Sequence, residues 1–128
     1  MERKIIAVAA FFGMTAVILG AFGAHALKKV LDIQQLATFE TGVKYQFYHA
    51  LMLLLVGFTP LLSEKKKAVI FYLVLVGILF FSGSIYLLAT DSLNDFDFKV
   101  IGIVTPIGGL LLIVAWFLLF IDFLKKKS

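Results

Sequence analysis

The stretch AVIFYLVLVGILFFSGSIYLLA, Ala68 to Ala89, runs on without a charged side chain, and its reading decides the fold. Crossing the hydrocarbon of a bilayer takes roughly 20 apolar residues at about 1.5 Å rise each, and this run supplies them. Three more runs of that kind fit on the chain: Ile5 to Leu27, Tyr45 to Leu62 and Val100 to Phe123. Together they use nearly all of 128 residues that are 62% hydrophobic and only 16% charged. One small globular core has no room for so much apolar surface, so the missing solvent is lipid. The alternation of a transmembrane β-strand is absent, which leaves helices to satisfy the backbone in hydrocarbon. The expected fold is therefore an all-α integral membrane protein: a single domain over 1–128, a four-transmembrane-helix bundle with no soluble module.

Charge sets the expected orientation. Arg3 and Lys4, Lys65 to Lys67, and Lys125 to Lys127 put eight basic residues on one side, against four on the other, Lys28, Lys29, Lys44 and Lys99. The positive-inside rule then predicts that both termini and the Ser63 to Lys67 turn are cytoplasmic. Arg3 and Lys4 before an apolar stretch ending in Ala24-His25-Ala26 imitate a secretory leader. The apolar run exceeds the roughly 7 to 15 residues of a leader's core, so it is expected to stay as the first span. The net charge of +4 sits at span ends and is no nucleic-acid signal. The absence of cysteine excludes disulfides, thiolate metal sites and cysteine nucleophiles. Asp91, Asp95 and Asp97 in the third loop lack the glycine and terminal glutamate of a calcium loop, and are expected to be solvated outside the cell.

The first loop, Lys28 to Lys44, has helical character of its own. Ile33, Leu36, Ala37 and Glu40 recur at helical spacing, and Asp32 with Gln35 suits a capping box. No Gly-Pro break follows, so this helix is predicted to continue into the second span and extend it at its outer end, with Glu40 and Lys44 as an i,i+4 pair.

Small and polar residues mark where helices should meet. On the first span Ala9, Gly13, Ala16, Gly20 and Ala24 form one stripe that lets another backbone approach closely. His25 lies just off it. On the second span Thr41, Tyr45 and His49 share a face continued by Met52 and Val56, with Gln46 flanking it. Tyr45 and Tyr48 also suit the aromatic belt at the headgroups. Ser82, Gly83 and Tyr86 lie in the outer half of the third span. Thr105, Pro106, Gly108 and Gly109 open the fourth, where Pro106 is expected to kink the helix by removing the partner of the Gly102 carbonyl. By depth, His25, His49, Tyr86 and Thr105 all fall within roughly 10 Å of the outer interface. The candidate polar cluster is thus His25, Tyr45, Gln46, His49, Ser82, Tyr86 and Thr105, with Tyr86 or Thr105 as partner to a buried, neutral His49. The inner half is expected to be nearly devoid of polar groups, with Asp122 reaching water beside the lysines.

The ordered set GAFGAHAL, YQFYHAL, FFSGSIYLL and TPIGG followed by Trp116 resembles the YgdD/YwdK-like family of uncharacterised small bacterial membrane proteins. The likeness covers nearly the whole chain and departs at Val114-Ala115, where relatives more often carry glycine. The resemblance implies the fold and a bacterial cytoplasmic membrane location, and it brings no activity.

Two kinds of function compete at this point. One is a structural or accessory membrane protein that self-associates as a homo-oligomer through glycine-rich faces. The other is a binding or transport protein offering the outer cluster to a small molecule or lipid. Proton-coupled export of the small multidrug type needs a deep carboxylate, and no span holds one. A bis-histidine haem site would have to use His25 and His49, the two histidines present. No metal, cofactor or catalytic set is expected: two histidines are too few ligands for metal catalysis, and the serines lack a recognisable base and acid.

Overall fold

A computed structural model describes residues 1–90 and 102–125. The loop aspartates Asp91, Asp95 and Asp97, the start of the expected fourth span, and Lys126 and Lys127 lie outside the described residues. Four long helices make up most of the rest: α1, Glu2–His25; α2, Ile33–Phe58; α3, Glu64–Ala89; and α4, Val104–Leu124. A 3-10 turn, Leu27–Lys29, leads from α1 towards α2. Three of the helices, α1, α3 and α4, are long and apolar enough to cross a membrane. α2 is as long, but Lys44, Gln46 and His49 interrupt its middle, so its apolar stretch is short.

Local chemistry accounts for the boundaries. The capping box expected at the start of α2 is formed: the Gln35 amide donates to the Asp32 carboxylate at 2.7 Å, and the Asp32 amide donates to Gln35 Oε1 at 3.2 Å. From there α2 runs unbroken to Phe58. Thr59 before Pro60 is extended, the conformation that a following proline imposes, so α2 stops four residues short of the predicted Leu62. Ser63 then caps α3 by accepting the Lys66 amide at 3.2 Å. α3 therefore starts at Glu64, and Lys65 to Lys67 belong to its first turn rather than to a loop. The expected kink at Pro106 is not made. α4 starts at Val104, so Pro106 sits in the first turn, where an amide hydrogen has no intrahelical partner to lose. Glu40 and Lys44 are both exposed and form no ion pair among the described residues.

Packing follows chain order. α1 lies on α2, α2 on α3, and α3 on α4, while among the described residues α4 makes no close backbone approach to α1 or α2. The tightest crossing is between α3 and α4: a Cβ added to Gly108 would stand 2.3 Å from the Phe81 amide nitrogen. Gly42 holds the α2–α3 crossing, where a Cβ would come within 2.7 Å of the Tyr86 ring. The predicted packing stripe on α1 is used only in part. Ala9 and Ala16 are buried and Gly20 meets Val43, but Ala24 is exposed and nothing lies near Gly13. Gly83 on α3 likewise has no neighbour to meet.

Two apolar clusters form. The larger gathers Ile5, Ala9, Phe12, Leu53, Val56, Phe71, Val74 and Leu112 towards the lysine-rich end. The smaller joins Leu27, Leu31, Phe39 and Ala89 at the opposite end, and so anchors the extension of α2. The lysine-rich end also carries polar ties that the sequence reading did not anticipate. Asp122 is buried, not water-exposed, and pairs with Lys66. Lys67 is only 2% exposed; it pairs with Glu2 at 3.1 Å and donates to the Gly57 carbonyl at 3.3 Å. Lys4 donates to the Tyr72 hydroxyl at 3.1 Å. Cations in the first turn of a helix oppose its dipole, and acids from α1 and α4 offset that here.

Candidate functional site

Along the chain Thr15 on α1, Gln46 and His49 on α2, and Ser82 and Ser84 on α3 fall between residues of the two apolar clusters, so they make a layer. At its centre is Gln46. Its amide donates to the Phe12 carbonyl at 2.9 Å and to Thr15 Oγ1 at 2.7 Å, both on α1. Its carbonyl accepts from the Tyr86 hydroxyl of α3 at 2.6 Å. One side chain of α2 thereby ties three helices. One turn earlier on α3, Ser82 donates to the Gly42 carbonyl of α2 at 2.8 Å, across the close crossing that Gly42 permits.

The layer reaches α4 at two points. Ser84 and Thr105 share a hydrogen bond between α3 and α4. Deeper, the Trp116 indole donates to His49 Nε2 at 3.0 Å, and His49 Nδ1 lies 2.7 Å from the Tyr45 carbonyl. An indole nitrogen only donates, so Nε2 must accept and the proton sits on Nδ1, which donates to Tyr45. This fixes a neutral imidazole in one tautomer, with both nitrogens engaged. The rings meet edge to face, with centroids 5.9 Å apart.

These contacts place the predicted residues. Gln46, His49, Ser82, Tyr86 and Thr105 come together in the layer. His49 takes Trp116 as its partner, whereas Tyr86 serves Gln46 and Thr105 serves Ser84. Tyr45 is at the edge: its ring is exposed and packs on Phe81 at 5.0 Å, and its backbone carbonyl does the bonding. His25 is exposed at the end of α1 and stands outside the layer. The two histidines are therefore not a pair, and His49 has no unused ring nitrogen for a haem iron. Among the described residues no three His, Cys, Asp or Glu side chains gather as metal ligands.

Thr15, Gly42, Ser84 and Trp116 were missed, and a signal existed for the first two. The buried face of α2 is Phe39, Gly42, Gln46, His49, Leu53 and Val56, spaced alternately by three and four. Steps of four alone, such as Thr41, Tyr45, His49, drift about 40° each around a 3.6-residue helix. That drift made Gln46 look peripheral. Thr15 is the lone hydroxyl in the middle of the first span.

A family model described as protein of unknown function, DUF423, matches residues 19–109. The chain belongs to that family. A Haemophilus influenzae relative named UPF0382 membrane protein is 38% identical over 128 residues, covering 100% of this chain and 99% of the relative. The UPF0382 membrane protein YwdK of Bacillus subtilis is 34% identical, over 96% of this chain and 98% of its own. The UPF0382 inner membrane protein YgdD of Escherichia coli is 32% identical, over 98% and 93%. No solved structure matches. Within the DUF423 match fall Gly42, Gln46, His49, Ser82, Ser84, Tyr86 and Thr105, while Thr15 and Trp116 lie beyond it. DUF423 membership makes this a bacterial membrane protein and assigns it no activity.

Proposed function

We propose that the protein is a structural, self-associating component of the bacterial cytoplasmic membrane, whose polar layer locks the register of four membrane-crossing helices. The observation that carries this is Gln46: both amide hydrogens and the carbonyl are spent inside the molecule, on α1 and α3. His49 is equally saturated, so the layer has little left to offer a ligand. α2 crosses with the others because Gln46 and His49 are turned inward onto this layer while Leu51, Leu55 and Phe58 face outward. Association is supported by Gly13 and Gly83, whose open surroundings leave room for another backbone, whereas Gly108 is consumed at the α3–α4 crossing.

Replacing Gln46 by leucine tests the lock. Thermal stability in mild detergent should fall, and complementation of any phenotype of gene deletion should fall with it. If the variant keeps its midpoint and loses complementation, the layer serves a ligand. Gly13→Leu should reduce the mass of the detergent-solubilised assembly; an unchanged mass removes self-association through α1.

A further inference from the structure

We propose that the cleft between the lysine-rich ends of α3 and α4 binds an anionic diacyl phospholipid. The cleft encloses about 330 Å³, at the lower end of the roughly 300–1,000 Å³ usual for ligand sites. Its walls are Val69 and Ile70 of α3 and Leu118 and Ile121 of α4, and Lys65, Lys66, Lys125 and Asp122 complete the lining. By helix position the charged residues stand at the ends of α3 and α4, and the aliphatic ones lie a turn deeper.

The charges are not balanced. Asp122 is matched by Lys66. Lys65 and Lys125 are exposed and have no acidic partner among the described residues. Two unmatched ammonium groups above an aliphatic trough select a molecule with the same division: a phosphate ester carrying hydrocarbon chains. Free phosphate satisfies the lysines but leaves the trough without a partner, and a zwitterionic lipid fills the trough but wastes the charge. Basic residues near a membrane surface each favour anionic lipid by about fivefold. The inference requires α3 and α4 to cross the bilayer, which both are long and apolar enough to do. It is independent of the polar layer, which Lys65 and Lys125 do not touch.

The test uses the full-length protein in mild detergent at low ionic strength. Phosphatidylglycerol and phosphatidylcholine with identical chains are added, and bound lipid is counted by native mass spectrometry. Phosphatidylglycerol should be retained roughly 30-fold better. In the double variant K65Q/K125Q that preference should vanish, while the thermal midpoint without lipid stays as in the wild type. Equal retention of the two lipids by the wild type overturns the proposal. A preference that survives in K65Q/K125Q overturns it too, since the headgroup then lies elsewhere. Inorganic phosphate that raises the midpoint as much as phosphatidylglycerol assigns the site to a free anion and overturns the lipid.

Discussion

Gln46 uses three of the four hydrogen-bonding capacities of a primary amide, and its neighbours depend on that. An aliphatic replacement takes the acceptor from the half-buried Tyr86 hydroxyl. His49 and Trp116 form a smaller unit of the same kind. Trp116→Phe keeps the ring and removes the donor from His49 Nε2, the end of a 3.0 Å bond. Interhelical hydrogen bonds in membranes give about 0.6 kcal/mol on average and up to about 1.7, so stability should fall by that amount. A double-mutant cycle with His49→Phe, read by thermal unfolding in detergent, should recover the same coupling energy. Additive effects would show that the two rings do not bond.

Among the elements, α3 is the hub, and its two ends are held differently. Towards α4 it is held by close approach. Gly108→Ala puts a methyl group 2.3 Å from the Phe81 backbone nitrogen, so the helices must separate. A loss of about 1–3 kcal/mol is expected from such overpacking. Gly109→Ala meets Phe81 at an ordinary 3.4 Å and should instead gain helix propensity, up to about 1 kcal/mol. Midpoints shifted in opposite directions by adjacent substitutions are the measurement; like shifts refute the crossing.

At its lysine-rich end α3 is held to α1 by charge. The hydrogen bond from the Lys67 ammonium keeps the Glu2 carboxyl below its ordinary value of 4.5. A carboxyl depressed on folding adds stability that is complete above its unfolded value and is lost as pH falls through the folded one. The thermal midpoint should thus begin to drop below about pH 4.5, and Glu2→Gln should flatten that part of the profile. An identical acid slope in the variant would mean that the pair does not form.

At the scale of the whole molecule, α1 packs chiefly on α2 and α4 chiefly on α3, and each keeps a broad apolar face for lipid or another copy. The basic residues fall eight to four between the two ends, which predicts both termini in the cytoplasm. A reporter active on one side only, fused after Ser128, should work inside the cell, and one inserted within Ser92 to Asn94 should work outside. The reverse pattern, or both on one side, rejects four crossings. α2 makes this measurement necessary, because its polar middle keeps it below the apolarity of the other three.

The linear chain by itself determined the helices, the membrane as solvent and the polar residues available. Each of these follows from local composition: run length, the Asp32-Gln35 cap, the lack of any strand period. It also made most of the polar layer legible, since a buried side chain that needs a bond must find one near its own depth. Pairing was decided only by the tertiary structure. Which of Tyr86, Thr105 and Trp116 meets His49 depends on how far each helix is rotated about its axis, and the close crossings at Gly42 and Gly108 set that rotation. The same holds at the lysine-rich end. Lys66, Lys67 and Asp122 look like solvated charges until α1 and α4 close over the first turn of α3, and only that closure buries Lys67 and Asp122 and gives each its partner.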